Sequence, residues 1–196
     1  MSINSERTAF MKDIRSIRSY KSDPIDKEIL MDIVDAARMA PTARNIQPWE
    51  FVVVTDKSIL QELSEIHVNG DFLKDAPACV VVLCNTNTEY FVEDGSAATQ
   101  NIILSARLYG LKSCWIGGCK GPFYENEDIP MCEGEPCQIL PLYDDLCSKL
   151  KDIINAPREL ELISIVSLGY SDESFEADKR PLEEVLHWDS FKEKNK

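Results

Sequence analysis

This chain is short of positive charge. It carries 21 Lys and Arg against 34 Asp and Glu, a formal net charge of −13. That balance excludes a broad phosphate-neutralising surface, on which nucleic-acid binding rests. It argues equally against docking on an anionic membrane. Histidine is scarce too: His67 and His187 stand alone, form no ligand pair and read as structural or surface residues. Among the seven cysteines there is no C-x2-C pair, the spacing that zinc and iron–sulfur sites usually show, so no metal is expected. A G-x-G-x-x-G loop following a strand is missing, which excludes a Rossmann site for a dinucleotide. No Ser-His-Asp or Cys-His nucleophile set can be placed. No apolar run is long enough to span a bilayer. Met1-Ser2-Ile3-Asn4-Ser5-Glu6 lacks the charged start and apolar core of an export signal, so the expected location is cytoplasmic. In a reducing compartment Cys119, Cys132, Cys137 and Cys147 are expected to be metal-free reduced thiols.

What is present suits one folded domain. The 196 residues are 44% apolar, enough to supply a core, and neither internal repeats nor a linker divides them. The pattern predicts a short helix over Glu6 to Asp13 and a second from an Asp26 N-cap through Met39, stopped by Pro41. Phe51-Val52-Val53-Val54 and Ala78-Cys79-Val80-Val81-Val82-Leu83 read as buried strands. Between them Lys57 to Ile66 reads as a helix and Asn69-Gly70 as a turn. Asp94 to Tyr109 is a helix rich in small residues, which allow close approach of a neighbour, and Gly110 ends it. Ser113 to Ile116 and Leu162 to Tyr170 are further strands. Without strict βαβ alternation, the order points to α+β with a mixed or mostly antiparallel sheet. The segment from Lys120 to Arg158 is acidic and holds five of the ten prolines, with an amphipathic helix over Asp144 to Ile154. Irregular segments of this length often form lids or binding loops.

Two stretches carry chemistry. Ile14-Arg15-Ser16-Ile17-Arg18-Ser19-Tyr20 gathers two guanidinium forks and two hydroxyls. On a helical turn Arg15 and Arg18 would lie close enough to share one anion; the alternative is a solvated basic turn pairing with surface carboxylates. Ala40-Pro41-Thr42-Ala43-Arg44-Asn45-Ile46-Gln47-Pro48-Trp49 follows a helix and precedes a strand. Its amides Asn45 and Gln47 both donate and accept, and could serve either a ligand edge or the turn before Pro48; Trp49 reads as core. Gly117-Gly118 could admit a ligand against bare backbone, or simply turn the chain.

Together these stretches resemble the FMN-dependent nitroreductase family, with R-x-S-x-R-x-[FY] near the N-terminus and P-[ST]-x-x-N-x-Q-P-W about two dozen residues on. Cys114-Trp115-Ile116-Gly117-Gly118 and Lys179-Arg180-Pro181-Leu182-Glu183-Glu184-Val185-Leu186-His187-Trp188 extend the resemblance over nearly the whole chain. Two departures stand out: Ile14 occupies a position where many members carry a cation, and Lys179-Arg180 reverses a common Arg-Lys order. The resemblance implies a central sheet flanked by helices, in an intertwined homodimer with FMN at its interface. It implies that Arg15, Ser16 and Arg18 hold the FMN phosphate with Lys179 or Arg180. Asn45 and Gln47 would then face the flavin edge and ribityl chain, supported by Pro41, Thr42 and Arg44, with Gly117 and Gly118 beside the ring. No protein residue need be catalytic, because flavin N5 accepts hydride from NADH or NADPH and passes it to a nitroaromatic, quinone or related small-molecule acceptor. Phe123 and Tyr124, in the lid-like segment, would offer that acceptor a stacking surface. An enone reductase, a dehalogenase, or a flavin carrier or sensor without turnover are the alternatives.

Overall fold

The computed structural model describes residues 5–66, 69–117, 131–132, 135–136 and 143–191. The chain opens with a 3-10 turn over Ser5–Thr8 and a short helix α1, Ala9–Lys12. Helix α2 (Lys27–Ala37) is followed by strand β1 (Trp49–Val54), helix α3 (Lys57–Ile66) and strand β2 (Ala78–Asn85). Helix α4 (Phe91–Leu108) and strand β3 (Lys112–Gly117) come next. A two-residue pair, β4 (Met131–Cys132) with β5 (Glu135–Pro136), precedes helix α5 (Tyr143–Ile153). Strand β6 (Leu160–Gly169) and a one-turn helix α6 (Leu182–Val185) complete the order.

The main sheet runs β1-β2-β6-β3, and every pairing between its strands is antiparallel. Strand β2 shows why it is sandwiched. Its residues are buried up to Cys84, and the period-two alternation of a strand sends Ala78, Val80, Val82 and Cys84 to one face and Cys79, Val81 and Leu83 to the other. The first set packs on Leu30, Ile33 and Ala37 of α2 and Ala98, Ile102 and Ala106 of α4. The second packs on Leu60 and Leu63 of α3, on Phe72 and Leu73 of the 3-10 turn Asp71–Asp75, and on Leu150 of α5. This is the α+β arrangement that the order of elements predicted, with the sheet antiparallel.

Helix α4 lies close to the sheet because Gly95 has no side chain. A Cβ there would stand 2.7 Å from Ile163 Cγ1 and 2.9 Å from Cys84 Sγ. Asn101 donates to the Ala36 carbonyl at 3.1 Å and ties α4 to α2. Gly110 follows the helix with a φ of 75°, the left-handed stop expected of it.

Two expectations need correction. Residues 14–20 form no helical turn: Ser16 makes a parallel bridge with Ser113, and Ile17 N–H donates to the Ser113 carbonyl at 2.9 Å. The segment runs extended because Ile17, fully buried, is drawn against the edge of the sheet. Cys147 is not a reduced thiol but is disulfide-bonded. Spacing along the chain says nothing of which sulfurs folding brings within about 2 Å. Cys79, Cys84 and Cys114 are free and buried, and burial pushes the Cys79 thiol up to about 12. His67, Gly118, Cys119, Phe123, Tyr124 and Cys137, with much of the predicted lid, lie outside the described residues. Among the described residues no helix is long and apolar enough to cross a membrane.

Candidate functional site

The extended segment 14–20 runs along β3, the edge strand, and a cavity of about 540 Å³ opens beside it. Its wall is made by Arg18, by Cys114, Trp115, Ile116 and Gly117 of β3, and by Asn69 and Asp71. The last two come from the turn that leads into buried Phe72 and Leu73. Sequence reading singled out Arg18 and Gly117; folding brings both to this one cavity.

Arg18 is exposed, and its guanidinium carbon lies 5.9 Å from the centroid of the Phe72 ring. Its Nη1 donates to the Ser16 carbonyl at 3.3 Å. It forms no ion pair with any described carboxylate, although acidic residues outnumber basic ones. Burial raises the Cys114 thiol above its ordinary value, and the Arg18 charge and the neighbouring Ser16 side chain oppose the rise. Gly117 also lines the cavity, and no described atom lies within 4 Å of where a Cβ on it would stand.

Arg15 behaves differently. Its guanidinium donates to the carbonyls of Lys12 at 2.6 Å, Ile14 at 2.8 Å and Phe175 at 3.1 Å. In an extended chain residues three apart point to opposite sides, so Arg15 and Arg18 do not close on one point. Glu173, which sequence reading passed over, accepts from the backbone N–H of Arg18 at 3.1 Å and of Ser19 at 2.9 Å. It fixes the backbone that carries Arg18. Tyr20 donates to the Ile17 carbonyl at 2.6 Å and pairs with the buried Ser167 hydroxyl at 2.7 Å. Burial raises the Tyr20 phenol above its ordinary value, so at neutral pH it stays a neutral donor.

Residues 41–47 form a second cluster. Pro41, Arg44, Asn45 and Gln47 are exposed, while Trp49 joins the core. Arg44, Asn45 and Gln47 have φ values of 54°, 57° and 53°, a left-handed conformation that costs a non-glycine residue about 1 kcal/mol or more. Such a loop persists only if its surroundings hold it. Thr42 Oγ1 donates to Asp94 Oδ2 at 2.7 Å, and Ala43 N–H donates to Asp94 Oδ1 at 3.2 Å. Gln47 N–H donates to Thr42 Oγ1 at 3.1 Å, and Gln47 Nε2 to the Asn45 carbonyl at 3.3 Å. Sequence reading took Asp94 only as the start of a helix; it shares that first turn with Glu93, and nothing in the local pattern sets the two acids apart.

The loop and the cavity do not meet within one chain. The loop is attached to α4 and enters β1, whereas the cavity lies along β3, at the opposite edge of the sheet. Three interstrand spacings, about 14 Å, separate those edges. Lys179 and Arg180 are exposed on the tail that follows β6, and no described ion pair engages either. Among the described residues no group of three or more His, Cys, Asp or Glu could hold a metal ion.

Comparison with known proteins agrees with this architecture. The profile of the Nitroreductase family matches residues 12–78, from just before the Arg15–Arg18 segment through the 41–47 loop to the start of β2. A protein of Archaeoglobus fulgidus, named provisionally as an NADH dehydrogenase/NAD(P)H nitroreductase, is 34% identical over 181 residues, covering 88% of this chain and 91% of that protein. The solved structure of an FMN-dependent nitroreductase from Clostridium difficile is 31% identical, with a TM-score of 0.75, 93% of this chain and 98% of that one being covered. An iodotyrosine deiodinase of Nematostella vectensis is 23% identical over 90% of this chain and 72% of its own length.

Proposed function

The chain belongs to the nitroreductase family, and from that membership we propose that it is an FMN-dependent oxidoreductase, drawing on NADH or NADPH and reducing a nitroaromatic, quinone or related small acceptor. The observation that carries this reading is the cavity beside β3, where Arg18, a guanidinium without a described carboxylate partner, and the glycine backbone of Gly117 share one wall. These are the two things an FMN asks of a protein at its opposite ends: a cation for the phosphate and unobstructed backbone beside the ring. The donor set therefore fits the group. Bound there, FMN would supply hydride chemistry at its N5.

The chain's own residues bind and orient. Arg18 and the Ser16 hydroxyl meet the phosphate, with Lys179 and Arg180 of the tail adding charge. Arg15, spent on three carbonyls, holds the segment to the tail rather than touching the phosphate. Asn45 and Gln47 offer amides to the pyrimidine edge, and Pro41, Thr42 and Arg44 frame them. Because that loop sits at the far edge of its own sheet, we place it against the cavity of a second copy, so that each flavin lies between two protomers. Exposed apolar side chains support a homodimer: Met39, Leu108, Trp188 and Phe191 are 68%, 71%, 73% and 79% exposed.

The visible spectrum of the purified protein tests this reading. It should show bound flavin, released as FMN, that bleaches anaerobically with NADH or NADPH. A colourless protein that takes up no added FMN overturns the reading, and bound flavin that neither nicotinamide reduces identifies a carrier or sensor. Reductive dehalogenation is the second reading, favoured by the likeness to the deiodinase; iodide release from an iodinated phenol separates it from nitro reduction.

A further inference from the structure

Asp94 is a carboxylate only 5% exposed, in the first turn of α4, and it has no described cation as partner. A charge so placed needs hydrogen-bond donors, and both its oxygens receive them from the same loop: Thr42 Oγ1 on one, Ala43 N–H on the other. Thr42 Oγ1 donates its one proton to the carboxylate, which fixes the direction of the hydroxyl. The Thr42 lone pairs then remain for Gln47 N–H. The relay runs from Asp94 through Thr42 to Gln47, and it spans the three left-handed residues Arg44, Asn45 and Gln47.

We propose that Asp94 is the positioning residue for the flavin edge: it holds the Thr42–Gln47 loop in its left-handed shape and so presents the Asn45 and Gln47 amides to the ring. This rests on the FMN reading above. It assigns Asp94 no contact with the cofactor. Two geometric features carry it, the bidentate anchoring of the loop and the cluster of positive φ values that the anchor encloses.

Asp94→Ala and Asp94→Asn, compared with the wild type, test it in two arms. The first needs no ligand. Amide hydrogen exchange at Ala43 and Gln47 should accelerate about tenfold or more in folded Asp94→Ala, since one amide loses its acceptor and the other an oriented hydroxyl. The second arm measures dissociation constants for FMN and riboflavin. Both should rise about tenfold, by a common factor, because the phosphate is held elsewhere and the FMN-to-riboflavin preference is left intact. A merely structural Asp94 would lower the melting temperature yet leave these two constants unchanged in folded protein. Asp94→Asn keeps the shape and one acceptor, so it should fall between, and it keeps the test open if Asp94→Ala does not fold. Unchanged exchange at both amides, or wild-type affinity for both flavins, overturns the proposal. A wild-type protein that binds neither flavin overturns the FMN reading instead, and the exchange arm then still decides whether Asp94 anchors the loop.

Discussion

Arg15 and Arg18 share one motif and one charge, yet their surroundings separate their tasks. Arg15 is half-buried and donates to three backbone carbonyls, one of them Phe175 in the tail. Arg18 is exposed on a cavity wall without a described carboxylate partner. Arg18→Glu should therefore weaken FMN binding by a hundredfold or more, roughly 3 kcal/mol, since it sets a like charge beside the phosphate. The melting temperature should stay within a few degrees of wild type. Arg15→Ala should do the reverse, costing about 1 kcal/mol of stability through its lost carbonyl partners and little affinity. Fluorescence titration with FMN and thermal melts on both variants check this pair; equal effects on affinity would show that the two guanidinium groups act as one clamp.

At the scale of the element, α4 carries the most. It packs against α2 and the sheet with Ala98, Ile102 and Ala106, and its first turn presents Asp94 to the 41–47 loop. Gly95, the next residue, sets how near the helix lies. By helix propensity alone Gly95→Ala would gain about 1 kcal/mol. The added Cβ, however, would meet Ile163 and Cys84 at 2.7 and 2.9 Å, and these belong to the branched core of β6 and β2. Overpacking of this kind costs about 1–3 kcal/mol, so the clash wins. Gly95→Ala should melt below the wild type, and a rise in melting temperature would mean that Ile163 moves aside. Because α4 then tilts off the sheet at its first turn, the Asp94 anchor should loosen with it.

For the whole molecule, the sheet order places the loop and the cavity at opposite edges. A site built from both is then complete only when two copies meet. A homodimer with two flavins is expected at micromolar concentration, by light scattering after size exclusion. A monomer that keeps its flavin would require the loop and cavity of a single chain to do the work. Exposed Met31, Met39, Leu108 and Trp188 mark surfaces that such an association would cover.

The sequence by itself determined the layered α+β plan, because apolar periodicity is a local property: β2 with its doubly buried run, α4 with its small residues and the stop at Gly110 could all be read from neighbours in the chain. It also determined the chemistry on offer, since Arg18, Asn45, Gln47 and Gly117 are legible as cation, amides and bare backbone wherever they end up. It did not determine geometry that arises between elements. The turn expected at Arg15–Arg18 became an extended edge, because burying Ile17 and pairing Ser16 with Ser113 outweigh any local preference. Asp94 and Glu173 carry no motif, and their roles exist only because folding sets each carboxylate against backbone N–H groups far away in the chain. The bond at Cys147 was likewise hidden. Which guanidinium faces the cavity, and which carboxylate holds the loop, are matters of distance in space, and only the tertiary structure sets those distances.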